Sequence, residues 1–230
     1  MVKTGFGGSL IRTFTAGMIH GNFIQKNANL WRFDSCLASR PGSLLFDPKE
    51  TCTTVKYNAN GAEQWVKKFH GSANSYDRCS AVAVEGGYVY VAGQSASTGT
   101  YGDYVTIKYN AGTGAQEWAS IYSGSGGYLD AATGLALDGT GNVYVAGYAY
   151  VSENSTSNTY LATIKYNSGG TQQWASHSEY PAGGMFALAY IAFSPADASV
   201  MVAGSVSVGA GADFGLMKYD TTDGSQEWAR

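Results

Sequence analysis

The sequence predicts an all-β protein built from repeated four-stranded antiparallel units. Glycine and tyrosine are abundant, with 31 and 17 residues, and charged residues make up only 13% of the chain. Such a composition is typical of many short strands joined by tight turns. Two phrases also recur along the chain at intervals of 52 to 57 residues. A fixed interval of this kind is the signature of a repeat architecture.

The first phrase reads "GDYVTIKYNAGTGAQEW" and has three further copies, "TTVKYNANGAEQW", "LATIKYNSGGTQQW" and "FGLMKYDTTDGSQEW". Its tyrosine falls at Tyr57, Tyr109, Tyr166 and Tyr219, and its tryptophan falls at Trp65, Trp118, Trp174 and Trp228. The second phrase is "VYVAG" at 89–93 and 143–147, and "VMVAG" at 200–204. The tyrosine, the tryptophan and the second phrase all recur at nearly the same interval, and chance does not explain this agreement.

One period of the repeat contains four runs with the properties of strands. They are "CSAVAV", "GGYVYVAG", "DYVTIKY" and "AQEWASIY", each five to eight residues long and bounded by Gly, Asn or Asp. The turns "NANG", "NAGTG", "NSGG" and "DTTDG" join the third run to the fourth and supply residues that accept a positive φ. No convincing helical periodicity is present.

Four antiparallel strands in about 50 residues, repeated, are typical of the blades of a β-propeller. The sequence therefore predicts a partial β-propeller of about three and a half to four four-stranded antiparallel blades. In such a fold neighbouring blades cover each other's apolar faces. We interpret the repeated tryptophan as a residue of the outer strand that packs between blades, and not as a ligand platform.

The repeat divides the chain into two parts. Residues 1–52 do not match it and form a non-repeat segment, either degenerate strands that complete the first blade or poorly ordered chain. Residues 53–230 hold the repeats. These comprise a half blade at 53–69 and blades at about 79–121, 131–177 and 185–230.

The order of the motifs resembles a known family. "DYVTIKYNAGTGAQEW", followed by "GSGGYLDAATGLALDGTGNVYVAGYA", is similar to the bacterial β-propeller repeat family (SBBP-like) whose name abbreviates seven-bladed β-propeller. The resemblance covers roughly residues 53–230. It implies a propeller fold and, since members typically occur in secreted or surface proteins, an extracellular or cell-surface location. It implies no reaction, and the N-terminal residues lack the sustained apolar run of a secretory signal.

The chain departs from the family pattern at both ends and in its third unit. Phe186 stands where the other units carry Asp77 and Asp130. Three and a half blades cannot close an ordinary ring of four to eight blades. The sequence therefore favours a part of a larger ring or half of a ring made by two chains, and we expect self-association through exposed blade flanks.

Candidate binding residues lie on the predicted loops between the second and third strands and between blades, at 94–102, 148–159 and 205–212 and at 70–78, 122–130 and 178–184. Tyrosine beside carboxylate suits a sugar or peptide ligand. The candidates are Tyr76, Asp77, Tyr101, Tyr128, Asp130, Tyr148, Tyr150 and Glu179. For Asp77 and Asp130 we favour a structural role, in which each carboxylate binds backbone N–H groups at the entry to an inner strand.

Other residue patterns indicate no further chemistry. The histidines have no metal spacing, no nucleophile elbow or phosphate loop occurs, and we expect no cofactor, no metal and no catalytic residue. Cys36, Cys52 and Cys79 lack a CxxC motif and are interpreted as plain thiols, with a single Cys52–Cys79 disulfide as the alternative.

Two functions are compatible with these patterns. The first is that of a non-catalytic β-propeller repeat protein that binds protein or carbohydrate, or acts as a scaffold. The second is that of a fragment of a propeller lyase, hydrolase or quinone-dependent dehydrogenase whose catalytic groups lie in other blades. The net charge of −3 gives no basis for nucleic-acid binding, and no apolar run is long enough to span a membrane.

Overall fold

A computed structural model describes residues 21–26, 29–35, 51–58, 60–72, 77–97, 99, 101–124, 129–153, 156–178, 185–208 and 211–230. They form sixteen β-strands. The strands are β1 (Gly21–Lys26), β2 (Asn29–Ser35), β3 (Cys52–Tyr57), β4 (Glu63–Phe69), β5 (Asp77–Glu85), β6 (Tyr88–Ser95), β7 (Asp103–Asn110), β8 (Gln116–Tyr122), β9 (Ala131–Leu137), β10 (Val143–Glu153), β11 (Thr156–Tyr166), β12 (Gln172–Ser178), β13 (Met185–Ser194), β14 (Ser199–Val208), β15 (Gly211–Asp220) and β16 (Gln226–Ala229).

Each group of four consecutive strands forms one antiparallel sheet, and we call these sheets blades 1 to 4 in chain order. The first strands of neighbouring blades contact each other, β1 with β5, β5 with β9 and β9 with β13. The predicted fold class, an all-β protein of four-stranded antiparallel propeller blades, is confirmed. Strands β1 and β2 come from the segment before residue 53 and pair in register with β3, so that blade 1 has four strands.

The middle strands are buried on both faces because every blade lies against its neighbours. In β7 every residue from Asp103 to Tyr109 is buried, whichever face it occupies. The outer strand β8 instead alternates between exposed and half-buried residues. Apolar residues from the two facing sheets form the core between blades, for example Tyr90 of blade 2 with Val145 and Ile164 of blade 3.

The repeated tryptophan packs between blades, as predicted. Trp65 of blade 1 lies 6.2 Å from the ring of Tyr109 in blade 2, measured between centroids. Trp118 lies at the same distance from Tyr166 in blade 3. Each of these tryptophans therefore covers the repeated phrase of the following blade, and one sequence motif supplies both sides of the contact.

The glycine of the "VYVAG" phrase allows a close approach between the first two strands of a blade. A Cβ atom added to Gly93 would lie 1.9 Å from the carbonyl oxygen of Arg78, and one added to Gly147 would lie 2.0 Å from that of Ala131. The register of the strand pair shifts at the same place in both blades. These glycines are therefore required by a β-bulge, not by a turn.

Two predicted loops are wrong, because the structure has strands there. The described residues of the segments 148–159 and 205–212 lie in long hairpin arms, in which Tyr150 pairs with Thr159 and Ser207 pairs with Ala212. Extending the ladder satisfies the backbone N–H and C=O groups that a loop would leave to solvent. In the third predicted loop between second and third strands, 94–102, the described residues lie outside the strands except for the first two.

Cys52 of β3 and Cys79 of β5 form a disulfide, with 5.1 Å between their Cα atoms. The interpretation of these two cysteines as plain thiols is therefore wrong, and the alternative pairing is the one found. The strands that carry them come together only when blade 1 packs on blade 2, which the spacing of 27 residues does not reveal. Cys36 lies outside the described residues.

Candidate functional site

The candidate residues on the loop end of the blades fall into three groups. Asp77 and Asp130 lie at the start of first strands and are buried, each 1% exposed. Tyr101 precedes β7 and is 71% exposed. Tyr148 and Tyr150 lie in strand β10 and are half-buried. We call these five residues the candidate face; Tyr76, Tyr128 and Glu179 lie outside the described residues.

The carboxylate of Asp77 joins two segments of blade 2. Its Oδ2 accepts a hydrogen bond from the backbone N–H of Gly71 at 3.0 Å. Its Oδ1 accepts one from the Ser95 hydroxyl at 2.6 Å. The connection that enters the blade is thereby attached to the end of the second strand, β6.

Asp130 likewise joins the connection that enters blade 3 to the second strand of that blade, through backbone N–H groups alone. Its Oδ2 accepts from the N–H of Gly124 at 2.6 Å, and its Oδ1 accepts from the N–H of Tyr150 at 2.8 Å. Burial raises the pKa of this carboxyl group, and the two backbone hydrogen bonds oppose that shift. The structural role that we favoured for both aspartates from sequence thus matches their geometry.

Tyr101 is held on a fixed backbone. The following residue, Gly102, accepts a hydrogen bond from the N–H of Asp130 at 2.8 Å and forms an isolated bridge with Leu129. Gly102 has a φ of 157°, and an added Cβ would lie 2.1 Å from the Nε2 atom of Gln94. Blades 2 and 3 therefore meet at the base of Tyr101, a residue that is itself largely exposed.

A group of aromatic side chains beneath this face could not be found from the sequence. Tyr104 is fully buried, its hydroxyl donates to the carbonyl oxygen of Ala162, and its ring meets that of Tyr122 edge to face at 5.6 Å. Tyr122 in turn is hydrogen-bonded to His177 in blade 3. Tyr122 is 18 positions from Tyr104 and 55 positions from His177 in the sequence, so only the folding of the blades brings the three side chains together.

Burial raises the pKa of Tyr104 well above its usual value and that of Tyr122 to about 12. The neutral phenol is thus favoured in the folded state. An unfolded chain loses the Tyr104 proton near pH 10, so this contribution to stability is complete below pH 10 and is lost as the pH rises further.

We therefore expect the free energy of unfolding to fall above pH 10, and Tyr104→Phe to reduce that slope by about 1.4 kcal/mol per pH unit. Urea unfolding of the two proteins between pH 8 and 11.5 measures it. The difference in the free energy of unfolding between the two proteins at pH 8, where both states keep the proton, serves as the internal reference. Parallel pH profiles for the two proteins would contradict the expectation.

Within the described ranges, no cluster of three or more His, Cys, Asp or Glu residues has the geometry to hold a metal ion. The same part of the chain holds no helix with the length and hydropathy needed to cross a bilayer. Chemically, the candidate face offers the exposed tyrosine Tyr101 on a fixed backbone. The carboxylates of Asp77 and Asp130 are occupied by hydrogen bonds inside the protein.

No family model matches the sequence, and no curated protein matches it. Solved structures are similar in fold. A mutant of Synechocystis apocarotenoid oxygenase aligns with a TM-score of 0.49 and 11% identity over 93% of this chain. The endo-arabinase from Bacteroides thetaiotaomicron VPI-5482 aligns with a TM-score of 0.48 and 8% identity over 93% of this chain and 82% of its own length.

Native arabinanase from Bacillus subtilis gives a TM-score of 0.46 and 10% identity, over 95% of this chain and 76% of that protein. The chain spans 50% of the length of the oxygenase. With TM-scores under 0.5 and identities of 11% or less, these likenesses assign no activity to this chain.

Proposed function

We propose that the protein is a non-catalytic β-propeller repeat protein that acts as a binding module on a cell surface or outside the cell. The observation that carries the proposal is the contrast on the candidate face. Asp77 and Asp130 are buried and hydrogen-bonded inside the protein, whereas Tyr101 is 71% exposed. Contact with a ligand would thus rest on the aromatic ring and not on a carboxylate.

An exposed tyrosine on a fixed backbone suits a carbohydrate or an extended peptide. The ring offers a flat apolar surface and a hydroxyl group, and its side chain has only two torsions to restrict on binding. The hydrogen bond between Asp130 and Gly102 holds the base of the ring before any ligand arrives. A preformed support of this kind lowers the cost of binding.

An oxidising location is supported by the disulfide between Cys52 and Cys79. Disulfides persist in secreted and surface proteins and are rare in the reducing cytosol of most organisms. The resemblance to the SBBP-like repeat family points to the same compartment. We therefore assign the binding role to the exterior of the cell.

A glycan array and a peptide library probed with the full chain test the proposal. Tyr101→Ala should weaken any binding found at least tenfold, because the contact area of the ring is lost. It should shift the urea midpoint no more than an ordinary surface substitution does. The matched control is Ile121→Ala, which removes an apolar side chain that is 45% exposed on the outer strand β8.

Two results would contradict the proposal. Binding that survives Tyr101→Ala and is lost in Ile121→Ala would place the ligand elsewhere. Turnover of a substrate by the purified chain would favour the alternative, a propeller enzyme fragment, because a binding module releases its ligand unchanged.

A further inference from the structure

The second and third strands of blade 3 extend beyond the rest of their sheet. The ladder between β9 and β10 ends at Tyr148, and the ladder between β11 and β12 ends at Leu161. Beyond these two residues, β10 and β11 continue to pair with each other, and we call residues 149–153 and 156–160 the ribbon. Within the described part of the chain, no further strand pairs with the ribbon. Its inner edge lies on the side of β9 and its outer edge on the side of β12.

The direction of the Tyr150 N–H group determines which backbone groups face each edge of the ribbon. This N–H donates to Oδ1 of Asp130, on the side of β9, at 2.8 Å. Because the backbone groups of successive residues alternate between the two edges of a strand, the N–H and C=O of Ser152 face the same inner edge. Ser157 is paired with Ser152, and its N–H and C=O therefore face the outer edge.

Asp130 occupies the first position of the inner edge in the way that a neighbouring strand would. Its carboxylate oxygen accepts from the N–H of Tyr150, as the carbonyl oxygen of a longer β9 would do. The chain before Asp130 turns away from β10, because Leu129 forms a bridge with Gly102 of blade 2. The inner edge thus begins with a side-chain acceptor and continues with the backbone groups of Ser152.

Asp130 also connects the inner edge to Tyr101. Its own N–H donates to the carbonyl oxygen of Gly102, the residue after Tyr101, at 2.8 Å. One residue of blade 3 is therefore hydrogen-bonded to strand β10 and to the base of the candidate face. A segment of chain lying along the inner edge would pass close to Tyr101, which is 71% exposed.

Carboxylates outnumber basic side chains at this end of blades 2 and 3. Asp77, Asp103 and Asp130 are each 1% exposed, and burial together with the charge of Asp103 raises the pKa of Asp130. Among the described residues at this end of the two blades, Arg78 is the one that carries a positive charge at neutral pH. A ligand with acidic side chains would meet charges of the same sign here.

We propose that the inner edge of the ribbon binds an extended, non-acidic peptide segment as an added β-strand, with one peptide side chain against Tyr101. The proposal rests on the function proposed above and narrows the ligand to a peptide. Hydrogen bonds to the backbone of Ser152 would give affinity for any extended chain, and contact with Tyr101 would select the side chain. A carbohydrate has no alternating N–H and C=O groups to match this edge.

A displayed library of random peptides, selected against the full chain, supplies the probe. Ser152→Pro removes an N–H group from the inner edge, and proline is tolerated where the N–H of an edge strand takes no part in a ladder. Ser157→Pro is the matched control, since it removes the N–H of the paired residue from the outer edge. Thermal unfolding confirms that both variants are folded.

We expect Ser152→Pro to weaken binding of the selected peptide at least tenfold and Ser157→Pro to leave it unchanged. Synthetic copies of the peptide that are N-methylated at every second residue test the pairing without any change to the protein. One of the two alternating sets should abolish binding and the other should not, because only one set of N–H groups faces β10. Glutamate introduced into the peptide should weaken binding.

Two results would overturn the peptide proposal and leave the proposed binding module in place. The first is that glycans bind and no peptide is selected. The second is a peptide whose binding is lost in Tyr101→Ala but not in Ser152→Pro. Loss in Ser157→Pro alone would place the peptide on the outer edge and would overturn the inner-edge contact. A chain that binds neither glycan nor peptide would overturn both proposals.

Discussion

Replacing Trp174 by alanine is expected to lower the free energy of unfolding by about 3 to 5 kcal/mol. The side chain is 8% exposed and packs 6.0 Å from the ring of Tyr144, and its indole N–H donates to the Thr221 carbonyl. Truncation leaves a cavity under the blade 4 turn, where Gly224 lies on the indole. Urea unfolding at neutral pH measures the loss.

The matched control is Trp228→Ala, at the same repeat position in blade 4. No turn covers Trp228 among the described residues, so we expect a loss of about 1 kcal/mol or less. Equal losses for the two tryptophans would contradict the inter-blade role of Trp174.

Removing the disulfide is expected to lower the free energy of unfolding by about 3.5 kcal/mol. Cys52 and Cys79 are 27 residues apart, and chain-entropy scaling for a loop of that size gives about this value. The double variant Cys52→Ala, Cys79→Ala and the reduced wild-type protein should agree within about 1 kcal/mol. Urea unfolding with and without reductant measures both.

Cys36→Ala is the control for that experiment, and its stability should still depend on reductant. Peptide mapping without reduction should recover a Cys52–Cys79 pair. Three titratable thiols in the denatured, unreduced protein would contradict the disulfide.

Much of the fold could be predicted from the sequence because the same pattern of strand-forming and turn-forming residues recurs in each unit. Alternating β-branched and aromatic residues predict strands, and the Asn-rich and Gly-rich turns predict which strands are joined. The tryptophan was correctly placed between blades. The prediction of two loops was wrong because a hairpin extends as far as its two arms can pair. The pairing partner of a residue cannot be recognised from one segment of sequence alone.

The candidate site was predicted less completely. Asp77 and Asp130 were found from their repeat position, and their bonds to backbone N–H groups agree with the structural role that we favoured. Tyr148 and Tyr150 were placed on a loop but lie in β10. The contact of Tyr122 with His177 joins the fourth strands of two blades, and no sequence spacing identifies it.

The sequence by itself determined the repeating unit, its strand order and the residues that face a neighbouring blade, since these depend on local propensity and period. Only the tertiary structure decided which residues meet between blades. It paired Cys52 with Cys79, set Gly170 on Trp118, and left Phe214 exposed where Leu161 is buried. The reason is that each blade carries the same pattern on its two faces, and burial depends on whether another blade stands beside it.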